Sequence, residues 1–425
     1  MKHLVLIGGG HSHAIVLKMF GMKPLPSVRL TLISDVLYAP YSGMLPGYVA
    51  GFYDYDECHI DLRSLAEFAG CQILVDRAIA IDFSKNQVIC QTRVPVNFDV
   101  LSVDIGSTPA TLSVPGAAEY AIPAKPVPEF LASWNQLISE QQNYPEKPLR
   151  IAIVGGGAGG VELALNMQSR LAKEEGFGSE QCTGSNGWMP KETGKFKQEE
   201  GLEINLFHSG AQLLPGHNKR VRRRLKEILI NRGVKLHLME KVSAVQNQKM
   251  MEIASDSQCP MPNAQCPMPN AQIYCESGLS VECEIIFWVT QASAAHWIGE
   301  SGLATDSNGF MQVNDCLQSV SHPNVFGAGD IAAMVNYPRP KAGVFAVRQG
   351  KPLFENLQQF LLQKPLKPFV PQEQYLGLIG TGNKRAIASR GSFMWESALL
   401  WYWKDWIDRQ FMKNFTNLPK TNNTK

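Results

Sequence analysis

A chain of 425 residues, 44% hydrophobic and 18% charged, is long enough for roughly two to four domains around a large core, which excludes wholesale disorder. A formal net charge of +2 lacks the basic footprint of a general nucleic-acid binder, so no nucleic-acid partner is expected. Nine cysteines with no CxxC and no zinc-type spacing exclude a disulfide scaffold, so reduced thiols, a cytoplasmic setting and no metal are expected.

The chain opens on "HLVLIGGGHSHAIVLKMF": a short apolar strand, a glycine cluster, then a helix-period pattern. Its apolar run is too short for a signal peptide. No stretch reaches the roughly 20 apolar residues of a membrane span, so the chain is expected to be soluble or to lie on a membrane surface. A second strand, "RLTLIS", ends at Ser34 and is followed at once by Asp35. The loop "YAPYSGMLPGYVAGFY" comes next. "CQILVDRAIAIDFSKNQVIC" reads as a strand pair with a polar turn at Lys85 and Asn86, and "FDVLSVDIGSTP" as a strand ending in a Gly-Ser turn.

At Arg150 the opening grammar returns as "RIAIVGGGAGGVELALNM". The stretch 174–201, rich in Gly, Ser, Lys and Glu, then delays the next strand, "LEINLF", and reads as an insertion. A second insertion, 256–272, contains a perfect duplication: "QCPMPNA" at 258–264 and again at 265–271. Its paired prolines forbid regular structure, so it reads as a duplicated hairpin loop. Metal binding by Cys259 and Cys266 is the remote alternative, since no histidines lie nearby. "IIFWVT" is an apolar strand. "HPNVFGAGDIAAM" is a strand, a glycine turn and Asp330; "KAGVFAVRQGKPLFENLQQFL" is a helix. The tail "SFMWESALLWYWKDWIDRQFMKNF" is aromatic and helical in period.

A glycine turn feeding a helix N-terminus lets backbone approach a pyrophosphate, whose charge the free N–H groups and helix dipole attract. One such loop is weak evidence; two, each between strand and helix, are much stronger. Gly155, Gly157 and Gly160 fill the three positions of the second loop. The first has Gly8 and Gly10, then His13 where the third glycine normally allows close helix–strand packing. His13 is either a packed, hydrogen-bonded histidine or, with His11, a contact to the cofactor. The ribose-gripping acid expected after the second strand is Asp35 in the first unit. The second has His208 and Ser209 there, with the basic helix "NKRVRRRLKEIL" close behind, which leaves NADH and NADPH both open. The bland reading of that arginine cluster is a solvated helix face.

These motifs resemble those of flavoproteins with two dinucleotide-binding domains, especially type II NADH dehydrogenases. "GGGAGGVELA", with Glu162, resembles that family's NADH-binding segment. "NVFGAGD" resembles its second FAD motif, implying Gly329 and Asp330 at the FAD ribityl or pyrophosphate. "AVRQG" implies Gln349 near the isoalloxazine ring, and "VDIGSTP" implies Gly106 lining the FAD site. "GGGHSH", "APYSGMLPG" and "WKDWIDRQFM" are similar to the flavoprotein module found fused to selenophosphate synthetase (selenide, water dikinase), over nearly the whole chain apart from the insertions. The resemblance implies FAD on the first loop and NAD(P)H on the second, in an α/β fold of two Rossmann-like domains. The expected division is 1–117 and 292–364 for a discontinuous FAD domain, 118–291 for an inserted NAD(P)H domain, and 365–425 for a C-terminal region with an aromatic helix. His11, Ser12, His13, Ser34, Asp35 and Pro46 complete the expected first-site contacts.

In such a protein the cofactor carries the hydride chemistry, and side chains align and tune it. Lys341 and Gln349 are candidates to polarise the flavin ring, although Lys341 could equally be a surface residue. Tyr41 and Met44 could close the acceptor side, or their loop could be a turn set by Gly43, Pro46 and Gly47. The tail's Trp395, Trp401, Trp403, Trp406 and Phe411, with Lys404 and Arg409, suit either a peripheral helix on the cytoplasmic membrane face or a cover over the FAD domain. Three functions follow: an NAD(P)H-oxidising flavoenzyme reducing a quinone or other small acceptor; a sulfide- or selenide-oxidising flavoprotein, needing a cysteine pair such as Cys283 and Cys316; or a low-turnover accessory or sensor docking a selenophosphate synthetase-type partner. The absence of CxxC excludes the simplest disulfide-reductase design.

Overall fold

The computed structural model describes residues 1–109, 114–145, 147–172, 201–247, 271–290 and 292–419. The duplicated heptapeptide, apart from Ala271, lies outside the described residues, as do Cys259, Cys266 and the 174–201 insertion up to residue 200.

Two five-stranded parallel sheets share one plan. In the first, Lys2–Ile7 is central, flanked by Val28–Ser34 and Val100–Val103, with Cys71–Val75 and Val325–Gly327 at the edges. In the second, Leu149–Val154 is central, flanked by Leu202–His208 and Ile285–Trp288, with Lys235–Leu238 and Ile122–Pro123 at the edges. Both central strands are covered on both faces, as all-parallel sheets require, which is why they read as unbroken apolar runs. The last strand of the first sheet follows the whole second sheet in sequence. The chain crosses out through Thr108–Pro109 and back through Ala292–Ser293, which pair antiparallel.

Helix His11–Met22 packs against helix Gly343–Leu361, where a Cβ at Gly350 would lie 2.7 Å from Ile15. Phe20 and Phe354 meet edge to face beside it. A third, antiparallel sheet (Gly377–Gly380, Ala386–Arg390, Phe393–Ser397) leads into the final helix, Ala398–Thr416.

Two sequence readings need correction. Cys71–Val75 is not half of a strand pair: it joins the parallel sheet beside Val28–Ser34, and only Ala78–Asp82 and Gln87–Cys90 form the hairpin. The aromatic tail is not helical from its start. Phe393–Ser397 pairs with Ala386–Arg390, and the helix begins only where Ser397 accepts a hydrogen bond from the Leu399 N–H.

Candidate functional site

Each central strand ends in a glycine turn of the same geometry. Gly8 has φ +90° and Gly155 φ +130°, a region that favours glycine. A Cβ would strike the Asp104 carbonyl oxygen at 2.4 Å from Gly8 and the Val289 carbonyl oxygen at 2.3 Å from Gly155. Asp104 and Val289 are therefore the same position in the two units, each just past the strand beside the loop. Gly10 and Gly157 both stand in extended backbone as N-caps of the following helices, with no side-chain cap.

The loops differ in what surrounds them. A Cβ on Gly157 would meet nothing within 4 Å, whereas one on Gly10 would lie 2.3 Å from the Asp104 carboxyl carbon. Gly160 packs so closely that a Cβ would come 1.8 Å from the Gly155 carbonyl oxygen. At the matching place in the first loop, His13 Nδ1 donates to the Gly8 carbonyl at 2.7 Å, and Nε2 lies 2.8 Å from Ser102 Oγ. A carbonyl only accepts, so the proton sits on Nδ1 and Ser102 donates to Nε2. Burial lowers the His13 pKa to about 4, keeping the ring neutral. His13 is thus packed and doubly bonded.

Asp104 is fully buried; its carboxylate accepts the His13 N–H at 3.0 Å and its carbonyl the Gly10 N–H at 3.1 Å. Burial pushes its carboxyl up to about 7, with the His13 N–H opposing and Asp330 adding to the rise. Sequence reading passed over this residue. The signal was present: Ser102 sits in an otherwise apolar strand and Asp104 follows two residues on, just past its end.

Asp330 accepts from Ser107 Oγ at 2.9 Å and from Lys125 Nζ at 2.7 Å. Burial alone would raise its carboxyl, but Lys125, Ser107 and Lys341 outweigh it and hold it low. Lys125 comes from the entry to the second unit, and no motif announces it. Gly329, at φ +70°, donates its N–H to Gln349 Oε1 at 2.7 Å. Lys341 is not a surface residue: Nζ donates to the Ala332 carbonyl at 2.8 Å, lies over the Phe310 ring, and is brought down to about 8 by burial. Gly106, at φ +70°, has open space where a Cβ would be.

His11 opens the first helix, its ring edge-on to Tyr41 at 5.3 Å and Phe411 at 6.1 Å. Its Nε2 is buried without a partner among the described residues. Ser12 donates to the Ala346 carbonyl, and Ser34 to that of Val36. Asp35 stands at the strand end, paired with Arg77 at 3.1 Å. Pro46 occupies the first turn of helix Leu45–Val49; Met44 is fully buried in the core of the first unit, which favours the turn reading of that loop. Tyr41 donates to Asp408 Oδ1 at 3.1 Å; Lys404 bonds both Asp408 and the Gly43 carbonyl. Lys404 and Arg409 therefore serve protein partners, Arg409 through Glu57 and Asp405, rather than a free basic face. The tail aromatics divide: Trp401 is buried, whereas Trp395, Trp403 and Trp406 are exposed.

Around the second loop, His208 lies across Gly156 and its Nε2 donates to the Gln212 carbonyl at 3.0 Å. Beside the loop, Thr290 Oγ1 and Trp288 Nε1 are buried without partners among the described residues. Glu162 accepts the Gly380 N–H at 2.7 Å and is raised to about 7, chiefly by burial. The six described cysteines are free; Cys283 and Cys316 lie in different units, and burial pushes the Cys283 thiol up to about 12. No cluster able to hold a metal occurs among the described residues.

Two nucleotide-type loops on duplicated parallel sheets define a two-site dinucleotide-binding oxidoreductase. The family model described as pyridine nucleotide-disulphide oxidoreductase matches residues 2–350, and the chain belongs to that FAD-dependent family. The chain is 24% identical over 375 residues to ferroptosis suppressor protein 1 of Taeniopygia guttata, covering 87% of this chain and 83% of the relative. It is 21% identical over 430 residues to the type II NADH:quinone oxidoreductase of Haemophilus influenzae, covering 92% and 87%. The structure of NDH2 from Plasmodium falciparum, in complex with NADH, superposes with a TM-score of 0.75 over 98% of this chain and 97% of that one at 15% identity, a likeness of fold.

Proposed function

We propose that the chain is an FAD-dependent NAD(P)H oxidoreductase that passes electrons to a quinone-type acceptor, with FAD on the first loop and NAD(P)H on the second. The observation that carries this reading is the duplication itself: two glycine turns of matching backbone, each with a buried polar atom at its edge that has no partner among the described residues, His11 Nε2 at one and Thr290 Oγ1 at the other. Such orphaned groups are rare and fit polar ligands. FAD, when bound, supplies the redox chemistry.

The chain's own residues bind, orient and hold protons. The N–H groups at the start of helix His11–Met22 receive a pyrophosphate, and Asp35 stands where a ribose hydroxyl is gripped. Asp330, kept ionised by Lys125, orients the cofactor's polyol or phosphate region. Gln349 braces the glycine turn before Asp330, and Lys341 keeps its proton on a buried ammonium. Tyr41, held protonated by burial and by Asp408, closes the opposite wall. At the second loop, His208 in place of a carboxylate offers no repulsion to a 2′-phosphate, so both coenzymes are admitted.

A quinone is supported by the quinone-acting relative and by the apolar surface of the tail. Phe393, Trp395, Trp403 and Trp406 are all about half exposed on one strand–helix segment, suited to an interface with lipid. No described helix is long and apolar enough to cross a membrane. A selenophosphate synthetase-type partner rests on the sequence resemblance alone. The test is anaerobic titration of the purified chain with NADH, NADPH and sulfide. Bleaching of bound flavin by a nicotinamide coenzyme, with reoxidation by a soluble quinone, is expected. Bleaching by sulfide alone would replace this reading with the sulfide-oxidising one.

A further inference from the structure

The first and second loops share a backbone, but the space above the second glycine is open in one and filled by a carboxylate in the other. In both Rossmann loops that glycine is the one whose missing side chain lets a pyrophosphate approach. The filler is Asp104, whose Oδ2 takes the His13 N–H at the helix N-terminus, a donor position that attracts anions. A Cβ on Gly329, from the second glycine turn of the same unit, would lie 2.2 Å from Asp104 Oδ1. Asp104 is therefore wedged between both turns that a dinucleotide would touch, and Val289 occupies its place in the other unit.

We propose that the Asp104 carboxylate is a built-in occupant of the anion position of the first loop, so that FAD loads there with uptake of one proton from solvent onto Asp104. This rests on FAD being the ligand of the first loop. The groups facing Asp104 set the direction. From helix His11–Met22 come His13, neutral and donating only its backbone N–H, Ser12, whose hydrogen bonds also act to lower the carboxyl, and His11, whose pKa burial lowers. From the turn Gly329–Ile331 comes Asp330, a carboxylate paired with Lys125, and Gln349 of helix Gly343–Leu361 accepts the N–H of the adjoining Gly329. No cation pairs with Asp104 directly among the described residues, so an incoming diphosphate meets an uncompensated like charge unless Asp104 is protonated. Burial already brings that carboxyl to about 7 in the cofactor-free chain, within reach of neutral pH. A neighbouring diphosphate raises it further, which makes binding and protonation mutually reinforcing.

The experiment is titration of the flavin-stripped full chain with FAD from pH 6 to 8.5, with calorimetry in buffers of different ionisation enthalpy to count protons. In the wild type, Kd rises about tenfold per pH unit above neutrality and about one proton is taken up at pH 8. Asp104→Asn and Asp104→Val, the latter copying Val289, make Kd flat with pH, abolish uptake, and bind FAD about 30-fold tighter than wild type at pH 8.5. NADH binding at the second loop stays flat in every variant. The proposal is overturned if wild-type binding takes up no proton, a result that needs no variant to fold. It is equally overturned if Asp104→Asn weakens FAD binding across the whole range, since the carboxylate would then be holding the helix rather than the anion position. A wild-type chain that binds NADH but takes no FAD at any pH removes the first-loop reading, and this inference with it.

Discussion

The two glycine loops are built on the same strand order and the same backbone, yet they are finished in opposite ways. The second is completed by absence: Gly160 lets helix and strand touch, Gly157 looks onto open space, and apolar Val289 stands alongside. The first is completed by polar side chains. His13 spans to the Gly8 carbonyl and to Ser102, and Asp104 fills the hollow over Gly10. A glycine motif thus fixes the backbone path of a nucleotide loop without fixing what packs around it. A departure from the motif is tolerated when the replacement finds hydrogen bonds where the glycine made close contact.

Exchanging the third positions breaks the comparison most severely. Gly160→His places side-chain atoms onto the Gly155 carbonyl with no serine to receive the ring. We expect destabilisation of more than about 3 kcal/mol and loss of NAD(P)H binding, read by thermal melting and coenzyme titration. The reciprocal His13→Gly leaves a cavity and strands Ser102, costing about 3 kcal/mol, with chemical denaturation as the check. If both exchanges cost less than about 1 kcal/mol, the third position does not discriminate the units in the way described.

A smaller effect comes from pH. Glu162 is raised from the ordinary glutamate value to about 7, chiefly by burial. A carboxyl raised on folding contributes stability that is complete below its unfolded pKa and is lost as pH rises through the folded one. The cofactor-free chain should therefore weaken between about pH 5 and pH 8, by on the order of 2 kcal/mol from this group. Glu162→Gln, which can still accept the Gly380 N–H, should flatten that part of the profile in melts across pH; an unchanged slope would contradict it. Smallest is Asp35→Ala. Its ion pair with Arg77 is about half exposed, so stability should change by less than about 0.5 kcal/mol while FAD affinity falls, a split measured by pairing melts with FAD titration.

The backbone of both units was legible because its signals are local. The apolar runs, the glycine spacings, the turn before Asp330 and the helix carrying Gln349 lie where their residues place them. What escaped depends on partners far apart in sequence. Lys125 reaches Asp330 across 205 positions, and Lys404 joins Asp408, Tyr41 and Gly43 into one half-buried cluster. Helical period alone hid the strand Phe393–Ser397, because its alternation runs straight into the helix and only pairing with Ala386–Arg390 distinguishes them. Asp104 was within reach, since a carboxylate beside an apolar strand and a glycine turn must find a reason to be buried.

The assignment of one cofactor to each loop is tested most directly by flavin content and anaerobic bleaching in two parallel variants, Gly10→Val and Gly157→Val. The side chain at Gly10 meets Asp104 and the first loop, so that variant should emerge without FAD. The one at Gly157 enters open space, so that variant should retain FAD at wild-type stoichiometry and melting temperature but fail to bleach with NADH or NADPH. Equal loss of flavin from both, or normal bleaching in the Gly157 variant, would contradict the account.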